Sequence, residues 1–158
     1  VLSWDKKIAS QIAQMSQLLK SAHDPEGVGL AATQVGLDQR FFLIDFNQSL
    51  NIYINPKIIN QSSQTLLDKY KNPKKRFLEG CLSIPKIWGF VNRPYSIILE
   101  YQLPENLNKI RQKFSDKQAA TILHELDHLN GILFTDRIIE QDGTILKETP
   151  SGLKPIHQ

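Results

Sequence analysis

Ser115-Asp116-Lys117-Gln118-Ala119-Ala120-Thr121-Ile122-Leu123-His124-Glu125-Leu126-Asp127-His128-Leu129-Asn130-Gly131 decides how the rest of the chain is read. Ser115 opens the segment and Gln118 stands three residues on, the spacing of an S-x-x-Q capping box. Gly131 follows as a C-terminal stop. Between them Ala119, Ala120, Ile122, Leu123, Leu126 and Leu129 leave the segment apolar on most sides. The pattern predicts a helix over 116–130 that is central and buried.

Working outward, 97–103 (IILEYQL) reads as a strand. Residues 77–103 as a whole read as short strands and turns, broken by Gly80, Pro85, Gly89 and Pro94. Two more strands are expected at 41–46 (FFLIDF) and 52–59 (IYINPKII), with NQSLN between them. Pro56 points to an edge or a bend in the second. Residues 4–20 form an amphipathic helix on paper, because Trp4, Ile8, Ile12, Met15 and Leu19 recur at three- and four-residue steps. Pro25, Gly27 and Gly29 forbid its continuation. Residues 60–76 read as an exposed basic loop insertion that holds Lys69, Lys71, Lys74, Lys75 and Arg76. A short strand is expected at 132–138, and 139–158 as a short irregular tail. The fold class that follows is α+β. It is a compact single domain, 1–158, with short antiparallel or mixed sheets packed around the central helix that carries His124 and His128, and an N-terminal amphipathic helix.

The 158 residues, 41% apolar and 22% charged, have a globular composition. One cysteine, Cys81, excludes an internal disulfide and a multi-cysteine zinc ribbon. A net charge of +3 falls short of a nucleic-acid-binding signature. No apolar run of about 18 residues is present to span a membrane. With one thiol and no export signal in view, a reducing cytoplasm is the expected compartment. Met15 is the only methionine, so Val1 reads as a processed or trimmed start.

His124-Glu125-Leu126-Asp127-His128 is an H-E-x-x-H sequence. Four residues is just over one helical turn, so both imidazoles project from one face and can bind one ion. Glu125 is placed to reach a water beside that ion. Two histidines and a glutamate are costly to bury without a partner, and a metal supplies one. A catalytic metal also needs a third protein ligand and an open position. The candidates are His23, His157, Glu140 and Cys81. Cys81 lies in Glu79-Gly80-Cys81-Leu82-Ser83, where the glycine permits close backbone approach and Glu79 and Ser83 can orient ligands.

Three segments, taken in order, carry a resemblance. They are Gly27-Val28-Gly29-Leu30-Ala31-Ala32-Thr33-Gln34, Glu79-Gly80-Cys81-Leu82-Ser83 and His124-Glu125-Leu126-Asp127-His128. With Ile54-Asn55-Pro56 and Ile84-Pro85 between them, the chain resembles the peptide deformylases over residues 4 to 138. The resemblance implies a hydrolase that removes the formyl group from N-formylmethionyl peptides and releases formate. It assigns Cys81, His124 and His128 as ligands of one divalent metal ion. That ion is most often Fe2+ in this family, with Zn2+, Ni2+ or Co2+ also suited to two imidazoles and a thiolate. It makes Glu125 the general acid and base. The Gln34 side chain and the Leu82 backbone N–H become donors to the developing oxyanion. It pairs Glu26 with Arg93. Substrate would lie along Val28 and Gly29 as an added strand, with Ala120 and Thr121 helping to line a methionine pocket.

The chain departs from the family at Leu123, where glutamine is common, and its tail is not expected to form the long C-terminal helix that some members use on the ribosome. The partners expected are nascent formyl-peptides and a transient ribosome contact through the 60–76 bases, with no DNA, no membrane and a monomeric chain. A bacterial cytoplasm is expected, with an organelle or a phage-encoded enzyme as further sources. The alternative enzyme is a zinc endopeptidase that uses His124, His128 and Glu140. The non-enzyme alternative is a structural metal site on a peptide-binding module.

Overall fold

Phe41, Phe42, Leu43 and Ile44 are all fully buried, so this strand is covered on both faces. Side chains alternate along a strand. Phe41 and Leu43 meet one apolar cluster, and Phe42 and Ile44 another. That alternation sets the layers of the molecule. The computed structural model describes residues 6–23 and 27–156.

Helix α1 (Lys6–Ser21) buries Ile8, Ile12, Met15 and Leu19 against the first cluster. The expected Trp4 contact lies outside the described residues. Then come β1 (Gly29–Ala31), a 3-10 turn at Ala32–Val35, β2 (Phe41–Phe46) and β3 (Ser49–Gln61). β2 and β3 form a hairpin whose two turn residues, Asn47 and Gln48, have φ of 55° and 64°. Such left-handed pairs match the twist of a two-residue hairpin. Pro56 sits past the end of the β2 pairing, at a register shift against the next strand, so its missing N–H breaks no ladder there.

Residues 60–76 are more ordered than a plain loop. After β3 ends they contain α2 (Leu66–Lys69) and a 3-10 turn at Pro73–Lys75. Thr65 and Asp68 cap each other across α2, and Leu66 is fully buried. Lys71, Lys74 and Lys75 stay exposed. Lys69 lies 5.5 Å from the centre of the Tyr95 ring, and Arg76 5.0 Å from that of Phe90.

Next are β4 (Glu79–Cys81), β5 (Ile84–Gly89), β6 (Ser96–Gln102) and β7 (Lys109–Ser115). The large sheet has the order β1-β2-β3-β6-β7, antiparallel at every pairing. β7 was not legible as a strand because it is an edge, KIRQKFS, with only Phe114 buried. Helix α3 (Asp116–Leu129) lays Ala119, Ile122 and Leu126 on the face of the sheet opposite α1. The helix is where the sequence places it, but the Ser115 side chain makes no capping bond. Ser115 is still paired with Ser96 at the end of β7, and Asp116, at φ 58°, takes the turn into the helix. Gly131, at φ 72°, ends it as expected.

Two downstream expectations are corrected. Residues 132–138 are not a strand. Helix α4 (Phe134–Glu140) forms there, because Asp136 accepts from the Leu133 N–H and because Phe134 and Ile138 share one buried face. The tail beyond 139 is not irregular. β8 (Ile145–Thr149) and β9 (Gly152–Pro155) form a hairpin that completes a second sheet, β4-β5-β8-β9. Pairing with β5 supplies the order that tail composition alone does not reveal. Among the described residues no helix is long and apolar enough to cross a membrane.

Candidate metal centre and active site

α3 brings His124 and His128 to one face, and β4 of the small sheet brings Cys81 to meet them. Cys81 Sγ is 3.1 Å from His128 Nε2, which is 3.2 Å from His124 Nε2. All three residues are buried. His124 Nδ1 donates to Glu79 Oε2 at 2.8 Å, leaving the Nε2 lone pair directed inward. Two nitrogens and a sulfur that converge without an apolar or polar filler suit a divalent cation of borderline softness. Hydrogen bonds outweigh the burial that would otherwise raise the Cys81 thiol. The bonds come from both histidines and the Ser83 N–H, and they lower the thiol to about 5, so the ligand is a thiolate. Burial opposes protonation of His124, but Cys81 and Glu79 push its pKa up.

Glu125 is 3% exposed, and its Oε2 has no hydrogen-bond partner among the described residues. Burial raises its carboxyl to about 7, and the two histidines limit the rise. A buried, orphaned acceptor beside three converging ligands is placed to handle a proton. Its carboxylate fills the space beside Gly29, where any Cβ would overlap Oε1. Gly29 therefore brings the β1 backbone against the Glu125 carboxylate.

The Ala31 N–H donates to Gln34 Oε1 at 2.8 Å, which turns Gln34 Nε2 toward Ser83 Oγ (2.9 Å) and Cys81 Sγ (3.6 Å). Thr33 Oγ1 donates to the His128 carbonyl at 2.9 Å, fastening the 3-10 turn to α3. Val28, Gly29, Gln34, Leu82, Ala120 and Thr121 line a cavity of about 240 Å³ together with Cys81, His124 and Glu125.

Arg93 is buried between two carboxylates. It chelates Glu79, with Nη2 to Oε2 at 2.9 Å, and donates from Nη1 to Asp127 at 2.9 Å. Arg137 donates to the other Asp127 oxygen at 2.7 Å. Glu26, the expected partner of Arg93, lies outside the described residues, as does His157. His23 is exposed and is not in the ligand cluster. Glu140 is exposed and bonded to Arg137, outside the converging group, so the endopeptidase ligand set does not assemble.

Sequence reasoning missed Asp127, Phe77, Leu78, Trp88 and Lys117. Asp127 had a signal, being a charge inside the helix predicted to be buried. The Trp88 ring had one too, in Gly80, whose absent Cβ makes room for it.

A family model described as "Polypeptide deformylase" matches residues 2–143. A peptide deformylase of Acetivibrio thermocellus is 37% identical over 135 residues, covering 85% of this chain and 71% of that protein. One from Finegoldia magna is 35% identical, covering 85% of this chain and 78% of its own length. The crystal structure of peptide deformylase from Thermotoga maritima superposes with a TM-score of 0.73 at 33% identity, over 87% of this chain and 84% of that one. A probable peptide deformylase from Synechococcus phage S-SSM7 gives 0.72 at 33%, over 86% and 87%. The ligand convergence, the overall architecture and these matches agree, and the chain belongs to the polypeptide deformylase family.

Proposed function

We propose that residues 1–158 are one catalytic domain that removes the formyl group from N-formylmethionyl nascent peptides and releases formate. The observation that carries this is the orphaned Glu125 carboxylate beside the Cys81–His124–His128 convergence, at the free edge of β1. Among the described residues β1 pairs only with β2, so its other edge can accept a peptide backbone through Val28 and Gly29, nearly blind to sequence. Val28, Ala120 and Thr121 receive the methionine side chain.

When bound by Cys81, His124 and His128, a divalent ion supplies Lewis acidity and lowers the pKa of water toward neutrality. Glu125 removes a proton from the water that attacks the formyl carbon. As the C–N bond breaks, it returns that proton to the leaving nitrogen. The Gln34 amide and the Leu82 N–H donate to the formyl oxygen as charge develops. Glu79 and Ser83 act behind them, Glu79 on His124 and Ser83 on Gln34. We assign Fe2+ as the working ion, with Zn2+, Ni2+ or Co2+ as substitutes, and a bacterial cytoplasm as the setting. The chain acts as a monomer that touches the ribosome through the bases of 60–76, Lys69, Lys71, Lys74, Lys75 and Arg76.

The test is formate release from formyl-Met-Ala-Ser by protein purified without oxygen. Glu125→Gln should lower the rate by about 10²–10⁴ with metal content unchanged. Full activity in that variant, or no formate from the native protein, would overturn the reading.

A further inference from the structure

The cavity at the metal centre is apolar at its wall, with Val28, Phe77, Leu82 and Trp88, and Lys117 is its one lysine or arginine. Lys117 also lines a second concavity, where it meets Val28, Asp45, Phe46 and Thr121. Val28, Lys117 and Thr121 are common to both, so the two concavities abut at these residues. Among the described residues no carboxylate pairs with Lys117. Asp116 takes the Tyr70 hydroxyl, Glu79 is held by Arg93 and His124, and Glu125 is buried. Among the described residues the Lys117 side chain makes no ion pair where the two concavities abut.

The abutting concavities have a direction. Gln34 and Cys81 mark one end of β1, and Val28 the other. Lys117 precedes His124 by two turns of α3, about 10 Å along the axis. An extended peptide advances about 3.3 Å per residue, so its third residue lies about 10 Å from the reacting end. We propose that Lys117 is a specificity-determining residue that favours formyl-peptides with an acidic side chain at the second or third position. The inference rests on the deformylase reading. Asp45 sets its limit. That carboxylate lines only the far concavity, its Oδ1 buried and without a hydrogen-bond partner among the described residues, so a side chain reaching past Lys117 meets a second carboxylate instead.

The experiment measures kcat/KM for formate release from C-terminally amidated formyl-Met-Ala-Asp, formyl-Met-Asp-Ala and their Asn and Lys counterparts. The amide removes the terminal carboxylate as a competing anion. At low ionic strength at least one Asp peptide should exceed its Asn isostere by about two- to fivefold, the range of an exposed ion pair. The difference should lie in KM and shrink with added salt. Lys117→Met should erase the Asp/Asn ratio, and Lys117→Glu should reverse it in favour of Lys. Equal values for Asp and Asn in the native protein would overturn the inference, as would an Asp preference that survives Lys117→Glu. Those results leave the deformylase reading standing. No formate from any peptide overturns that reading and this inference with it.

Discussion

Cys81 was first informative as a count, a single thiol that forbids a disulfide, and its role as a ligand came from the motif around it. What the sequence did not carry is the environment that ionises it, since His128 and His124 reach it from a helix more than forty positions away. The lowered thiol gives a direct prediction. In metal-free protein, iodoacetamide should alkylate Cys81 with a rate that is half-maximal near pH 5, and added Zn2+ should block it. A midpoint near pH 8.5, the value of a free thiol, would contradict the geometry. Glu125 gives a second. Burial lifts its carboxyl toward 7, while a bound cation pulls it down. The base must be ionised to accept a proton, so kcat/KM should fall as pH drops, with an acid limb at or below about pH 7. A profile that rises below pH 6 would exclude Glu125 as the base. His124, Glu125 and His128 were legible because their spacing is helical. Asp127, between them, was not assigned because its partners Arg93 and Arg137 come from a loop and from α4.

The long apolar helix and the FFLIDF strand were readable because their patterns are local. α4, β8 and β9 were not, because tertiary pairing decides them: β8 exists by adding to β5. The same dependence makes the contact between β1 and α3 a sensitive one. Gly29→Ala would drive a methyl group into the Glu125 carboxylate. Formate release should drop at least tenfold while far-ultraviolet circular dichroism stays unchanged. Native turnover in that variant would show that the strand can back away. Arg93 joins β4 to α3 through Glu79 and Asp127, so Arg93→Met leaves buried Glu79 with His124 alone and buried Asp127 with Arg137 alone. Urea unfolding should show a loss of about 3–5 kcal/mol. The pH sense follows from Glu79. Arg93 and His124 overcome its burial and hold its pKa below the ordinary value near 4.5. Its contribution is therefore complete above pH 4.5 and is lost as pH falls through the lower folded value. Glu79→Gln should flatten the acid side of the stability curve, and an unchanged slope would refute the linkage.

On the scale of the molecule, the large sheet is clasped between α1 and α3, while the small sheet has its own apolar cluster with α4. One ligand comes from the small sheet and two from the helix on the large one. An ion at that point ties residue 81 to residues 124 and 128, closing a loop of chain that runs through β5, β6 and β7. In a protein with one thiol this does the work of a cross-link. By the loop-entropy rule for disulfides such a closure removes on the order of 4 kcal/mol of freedom from the unfolded chain. Removal of metal by a chelator should then lower the melting temperature and loosen amide protection in β4 and β5 before it touches β2 and β3. A cell short of the ion would hold a protein that is not merely idle but easier to degrade, so metal supply would govern how much of it persists as well as how fast it works.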